Sequence, residues 1–263
     1  MIAEILCSMM LLTNGDTLVT DSISRAPSDA KCSVELTVDY PTAGPEALVD
    51  SVRAYIATEV KSFYMARLDG DGSPRPAASS GDLKDGKALV DFHSEHILAD
   101  MQDIYRSLAK DVGTEMYMTD QGHIRRTSEN DSIVSYEAGC YQYEGGAHGL
   151  YWVEGTTFRK SDGKRIVIDL DLSKVDAMQP LLREGLATYL RDNGAETTID
   201  DLLKSDTFIS DGQIPLPSTN PYLTADGVKF VYQEYEIGPY AIGTPTFTIP
   251  LKDIQPFIDN SEE

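Results

Sequence analysis

The chain has 263 residues and a net charge of −21, from 22 basic and 43 acidic side chains. That balance excludes a nucleic-acid binder built on clustered Lys and Arg, and it excludes docking on an anionic membrane by a basic patch. Hydrophobic content of 41% with 25% charged residues is that of a globular chain, so the acidity does not mark disorder.

In chain order, Met1–Leu12 is the most apolar stretch. It is interrupted by Glu4, and the first basic residue is Arg25. It reads as a short buried strand or a frayed terminus rather than as an export signal, which opens on positive charge. Cys7 lacks the small preceding residues of a lipoprotein site. No apolar run reaches the ~18–20 residues of a membrane helix.

Residues 17–23 and 31–40 read as strands, the second alternating in period two from Cys32 to Val38 and stopping at Pro41. Pro45 then opens a helix up to Leu68, with Leu48, Val52, Tyr55, Ile56, Val60 and Phe63 at three- and four-residue steps. Residues 69–87 are a Gly/Pro/Ser/Asp-rich loop. A second helix covers 88–110, with Leu89, Phe92, Ile97, Met101 and Leu108 on its apolar side.

Strands follow at 116–118, 132–143 and 151–158, then a hairpin turn at Ser161–Lys164 leads to Ile166–Ile168. Helices are expected at 173–192 and 197–204. Strands are expected at 227–235 and 245–249, and a closing helix at 250–258. Helices and strands are partly segregated, so the fold class is α+β: two small mixed helix and antiparallel-sheet subdomains packed together, meeting near residue 160.

Several stretches come near to a chemical motif. Gly81–Ala88 approaches a phosphate-binding loop, but Ala88 stands where a magnesium-holding Ser or Thr is needed. Asp69–Ser73 resembles the start of a calcium loop, but Pro74 and Ser80 occupy the sixth and twelfth positions. His93-Ser94-Glu95-His96 is the densest metal-like cluster. Its histidines are three apart, looser than the four of zinc-protease helices, and the plainer reading is an exposed helix face. His123 is a loop candidate for a further ligand. The three cysteines are too far apart for a local zinc or redox motif; Cys32 and Cys140, each on an expected strand, are candidates for a disulfide in an exported protein. No metal, cofactor or catalytic residue is assigned.

Tyr is the enriched aromatic, with 14 residues against 7 Phe and 1 Trp. Tyr136, Tyr141, Tyr143, Tyr151 and Trp152 crowd one segment; Tyr232, Tyr235 and Tyr240 crowd another. Tyr and Trp give large contact area with a polar handle, which suits binding surfaces, although such rings also cover sheet edges. Tyr141 and Tyr143 share a strand face, whereas Tyr151 and Trp152 take opposite faces.

Two of these stretches carry a family resemblance. Tyr141-Gln142-Tyr143-Glu144-Gly145-Gly146-Ala147-His148-Gly149 resembles a Y-x-x-GGAHG segment. Asp226–Phe230 and Tyr235-Glu236-Ile237-Gly238-Pro239-Tyr240-Ala241-Ile242-Gly243 resemble the later blocks of the same family. This is the RsiV-like family of bacterial envelope proteins, in which a DUF4163-like domain precedes a DUF3298-like domain. It includes a lysozyme-sensing anti-sigma factor and regions beside PdaC-type deacetylases. The resemblance covers the chain from about residue 17 onward. It implies a DUF4163-like domain at 17–160 and a DUF3298-like domain at 161–263.

It also implies a non-enzymatic, extracytoplasmic binding or sensing protein, located in the periplasm or as a surface lipoprotein. The partner would be a lysozyme-like cationic protein or a peptidoglycan glycan. The candidate ligand-binding residues are Tyr141, Tyr143, His148, Tyr151, Trp152, Tyr235 and Tyr240. Competing expectations are a metal-dependent hydrolase or deacetylase using His148 or the His93/Glu95/His96 cluster, and a structural accessory domain without its own ligand. Gly238 departs from the family's usual Ala, and neither sigma-factor control nor deacetylation carries over.

Overall fold

The computed structural model describes residues 17–65, 84–112, 116–204, 208–209 and 212–259. The readings of Met1–Leu12, Cys7 and the calcium-like loop at 69–80 lie outside the described residues, as does the start of the phosphate-loop-like stretch. β1 (Val19–Arg25) pairs antiparallel with β2 (Cys32–Ala43). In β2 the period-two pattern places Cys32, Val34, Leu36, Val38 and Tyr40 inward. α1 (Glu46–Met65) follows Pro45, and α2 (Gly86–Val112) is capped by Asp85, whose carboxylate accepts from the Ala88 N–H at 2.9 Å. The phosphate-loop-like stretch thus ends as a helix cap.

Both helices occupy the connection between β2 and β3 (Met118–Glu129), and those two strands therefore pair parallel. A parallel neighbour needs a long crossover, which the helices supply. Where an antiparallel sheet was expected, the sheet is mixed. β4 (Ile133–Tyr143), β5 (Leu150–Arg159) and β6 (Arg165–Ile166) complete it antiparallel, in the order β1-β2-β3-β4-β5-β6.

β3 corrects the sequence reading, which stopped the strand at Met118 and put His123 on a loop. Its inward positions are Met118, Asp120, Gly122 and Ile124, so two polar or small residues hide the alternation. Gly122 is needed there: a Cβ would stand 2.8 Å from the Phe63 ring.

The helices cover one face of this sheet. Leu48, Val52, Tyr55, Ile56, Val60 and Phe63 of α1, with Leu89, Ile97 and Met101 of α2, pack on Leu36, Val38, Ile124 and Tyr136. Leu108, expected on the apolar side of α2, is 36% exposed, because the last turns of the helix run past the core.

The rest of the chain builds a second unit from α3 (Val175–Asp192), α4 (Ile199–Lys204), α5 (Leu251–Ile254) and an antiparallel sheet of β7 (Tyr222–Leu223), β8 (Val228–Val231) and β9 (Thr246–Ile249). Met178, Leu182, Leu186 and Leu190 recur every four residues along α3 and form its buried stripe. β8 ends at Val231, short of the expected Tyr235.

This second unit covers the face of the large sheet opposite the helices. Val153 of β5 is buried with Tyr222 and Val231, whereas its neighbour Trp152 faces the first core. The hydroxyl of Ser135 donates to the Leu223 carbonyl at 2.6 Å, and Thr157 accepts from the Leu223 N–H at 3.0 Å. Gly155 lets the Tyr222 ring lie on the strand: a Cβ there would be 2.0 Å from it.

Cys32 and Cys140 are buried on β2 and β4, opposite Met118 and Gly122 of the intervening β3. That offset of four residues, roughly 13 Å along the strand, is too great for a disulfide to join them. No helix among the described residues is long and apolar enough to cross a membrane.

Candidate binding surface

β4 ends at Tyr143 and β5 starts at Leu150, so the glycine-rich segment is the loop between two paired strands. Gly145 adopts φ +85°, a conformation that suits glycine. The Tyr143 hydroxyl donates to the Gly146 carbonyl at 2.9 Å. At Gly149 a Cβ would stand 2.3 Å from the Tyr141 ring, so the absent side chain is what allows Tyr141 to lie against the loop. His148 is left exposed on the loop.

The second block approaches from the end of β8. Gln233 and Glu234 take the place of a missing neighbour strand along the edge of β5. The Gln233 amide accepts from the Val153 N–H at 3.0 Å and donates to the Val153 carbonyl at 2.7 Å, while Glu234 accepts from the Tyr151 N–H at 2.9 Å. Backbone groups of an uncovered edge are satisfied in this way. Tyr235 then turns the chain with φ +66°, the only non-glycine among the described residues with positive φ.

These two approaches bring His148, Tyr235 and Tyr240 into one cluster. The Tyr240 ring stacks on His148 with centroids 3.8 Å apart and planes 18° apart. The Tyr235 hydroxyl lies 2.9 Å from His148 Nε2, and His148 Nδ1 lies 2.9 Å from the Gly149 carbonyl. A carbonyl only accepts, so Nδ1 carries a proton; in the neutral ring with that tautomer, Nε2 is the acceptor toward the Tyr235 hydroxyl. The ring serves as a stacking and hydrogen-bonding group. Burial, followed by the Glu234 charge and the Tyr141 and Tyr235 phenols, raises the Tyr240 hydroxyl's pKa.

The other expected residues divide. Tyr141 and Tyr143 adjoin the cluster through the loop. Tyr151 is paired opposite Tyr141 and shares its sheet face, but its ring stacks on His123 at 6.2 Å, beneath the surface. Burial and then the Glu137 charge push its hydroxyl up to about 12. Trp152 stands apart on the opposite face, its ring 5.6 Å from Phe63 in the helix-side core. Tyr117 was not among the expected residues. It is 58% exposed and lies 4.9 Å from the Tyr143 ring; its place just before a concealed strand gave no signal.

Below the surface, Glu137 ties the two units together. It accepts from Lys229 Nζ at 2.7 Å and from the Tyr222 hydroxyl at 2.8 Å, and His123 Nε2 lies 3.8 Å away. Burial by itself raises this carboxyl's pKa, but His123, Lys229 and Tyr222 outweigh it and hold the group at about 2.

The histidine cluster on α2 is split by the helix. His93 is wholly buried in the apolar stripe, where burial first and then the His96 and Lys61 charges push its pKa down to about 4. This corrects the expectation of an exposed face. His96 is exposed, with Nδ1 2.7 Å from the Phe92 carbonyl. Among the described residues no group of three His, Cys, Asp or Glu is placed to hold a metal ion.

Residues 170–252 match the family described as "Protein of unknown function (DUF3298)". The fold is similar to that of a DUF3298-family member from Bacteroides fragilis NCTC 9343, with TM-score 0.65, 22% identity and coverage of 94% of this chain and 96% of that one. It is also similar to a DUF3298-family protein from Pseudomonas aeruginosa PAO1, with TM-score 0.56, 15% identity and the same two coverages. No curated protein matches the chain. The chain therefore carries a DUF3298 domain at residues 170–252, within a fold shared with these two structures.

Proposed function

We propose that the protein is a non-enzymatic binding or sensing protein of the bacterial cell envelope, and that the surface around His148, Tyr235 and Tyr240 holds a cationic, lysozyme-like protein. The observation that carries this reading is the convergence of two aromatic segments, far apart in sequence, on one surface. Tyr235 is 42% exposed and His148 is exposed within it. Rigid aromatic groups with polar tips are the residues that carry most binding energy at interfaces. The net charge of −21 favours a basic partner, because an acidic surface steers its approach.

The RsiV-like resemblance supports the same reading. With it go an extracytoplasmic location and the division into a DUF4163-like domain at 17–160 and a DUF3298-like domain at 161–263. A cell-wall glycan is the second reading, favoured by the exposed Tyr117 and Tyr235 rings on which a sugar can stack.

Titration with lysozyme and, separately, with soluble peptidoglycan fragments tests the proposal. Lysozyme is expected to bind at about 20 mM salt, where the Debye length is ~20 Å, and to weaken steeply as salt rises. Binding of fragments alone selects the glycan. Failure of both at low salt contradicts the proposal, and activity on the fragments that depends on a metal favours a hydrolase.

A further inference from the structure

The smaller sheet leaves one strand edge open. In the order β7-β8-β9, β9 is terminal. Its register sets Phe247 opposite Phe230 and Ile249 opposite Val228, and the Tyr232 N–H donates to the Pro245 carbonyl at 2.9 Å. Hydrogen-bonded pairs alternate along an antiparallel ladder, so Phe247 and Ile249 bond to β8. The N–H and C=O groups of Thr246 and Thr248 therefore point away from β8, and no group among the described residues bonds to them. Gln233 and Glu234 cap the edge of β5, but β9 has no such cover. A row of unpaired backbone groups is a template for another strand.

A groove of about 580 Å³ runs along this edge, between β9 and α3. Leu181, Glu184, Thr188 and Asp192, at three- and four-residue steps, form its helix wall. The half-buried Phe247 ring lies on Gly185, where a Cβ would stand 2.2 Å from it, so the missing side chain lets strand and helix approach. The wall is roughly 16 Å long, and β9 spans roughly 13 Å, so the two match. Pro245 and Pro250 flank β9 and limit an added segment to a few residues.

Charge selects the occupant. Glu184, Asp192 and Asp253 line the groove and are exposed, and no Lys or Arg lines it. Asp192 lies 3.1 Å from Arg191, whereas Glu184 and Asp253 make no ion pair among the described residues. A second copy of the chain would set its own carboxylates against these. We propose that the groove between α3 and β9 takes a short extended segment of a basic protein as an added strand on β9. Its backbone bonds to Thr246 and Thr248, and its Lys or Arg side chains meet Glu184 and Asp253. The groove shares no residue with the aromatic surface, so the proposal stands or falls independently of it.

The test is a fluorescence-anisotropy titration of the full chain with the labelled peptide acetyl-KVKVKV-amide. Salt of about 150 mM, where the Debye length is ~8 Å, suppresses loose attraction. The controls are acetyl-EVEVEV-amide and two forms of the basic peptide, N-methylated at its lysines or at its valines, which keep the charge and lose one row of backbone donors. Thr248→Pro removes an outward N–H and no bond to β8; Glu184→Lys reverses an exposed charge. The basic peptide is expected to bind saturably below about 1 mM, and the acidic one not to bind. Thr248→Pro, Glu184→Lys and one of the two methylations are each expected to weaken binding about fivefold or more. Absence of saturable binding, equal binding of the acidic peptide, or failure of any of these three changes to weaken binding overturns the proposal. So does self-association of the chain that Thr248→Pro abolishes. If Thr248→Pro does not fold, the methylated peptides and Glu184→Lys decide alone.

Discussion

The hydroxyl of Tyr235 lies within hydrogen-bond distance of Nε2 of His148, 2.9 Å away, across 87 residues of chain. The Gly149 carbonyl at Nδ1 sets the imidazole tautomer, and the Tyr235 contact complements it and places the Tyr235 ring beside the stacked pair of His148 and Tyr240. In Tyr235→Phe the tautomer preference is expected to weaken, read by 15N NMR of the ring, with a stability change of about 1 kcal/mol or less, since the pair is exposed. Tyr235 also pays for a left-handed backbone, φ +66°. Of two variants lacking the ring, Tyr235→Gly should therefore be more stable than Tyr235→Ala by about 1 kcal/mol in urea titrations. Equal stability contradicts the backbone argument.

Gly155→Ala tests the seam between the two units. Its Cβ would stand 2.0 Å from the Tyr222 ring, whose hydroxyl is itself held by Glu137. Overpacking of this kind costs about 1–3 kcal/mol, which at this chain length lowers the melting temperature by roughly 2–4 °C per kcal/mol. Unchanged melting would show that Tyr222 moves aside freely.

Lys229→Met leaves Glu137 without its cation. For a half-buried pair the loss is about 2–4 kcal/mol at neutral pH, somewhat below that of a fully buried one. The pKa of Glu137 is held at about 2 against an ordinary 4.5. Its contribution is therefore complete above pH 4.5 and disappears as the pH falls through about 2. The gap between parent and variant in denaturant titrations should close over that window. A gap that stays constant with pH contradicts the assignment.

Glu59 acts in the opposite sense. Burial on α1 first, and then the Glu154 charge and hydrogen bond, raise its carboxyl to about 8, with Arg165 opposing, so between 4.5 and about 8 the folded chain holds a proton that the unfolded chain has lost. Stability contributed by this group falls as pH rises through that range. Glu59→Gln is expected to flatten the decline, with the difference from the parent growing toward alkaline pH. A parallel pH dependence in parent and variant refutes the raised carboxyl.

Much of the fold was legible because its signals are local. The stripe of α1 and the alternation of β2 each mark an element without tertiary context. β3 was concealed because Asp120 and Gly122 occupy its inward positions, and only the Phe63 ring explains the glycine. Within the candidate surface, the glycine-rich and Tyr235–Gly243 blocks announced themselves by composition. Their meeting did not, since it depends on Gln233 and Glu234 capping the edge of β5. Trp152 illustrates the converse: an aromatic beside Tyr151 in sequence points to the other face. Glu59 did leave a trace, as a carboxyl inside the apolar stripe between Ile56 and Val60, but its partners Glu154 and Arg165 lie on strands far along the chain.

The central claim is that the loop at 144–150 and the turn at 234–243 form one binding surface. Hydrogen–deuterium exchange of the full chain, with and without lysozyme at low salt, tests it most directly. Both segments are expected to gain protection together, with α2 unchanged. Binding that leaves both segments unprotected, or that protects α2 instead, contradicts the account.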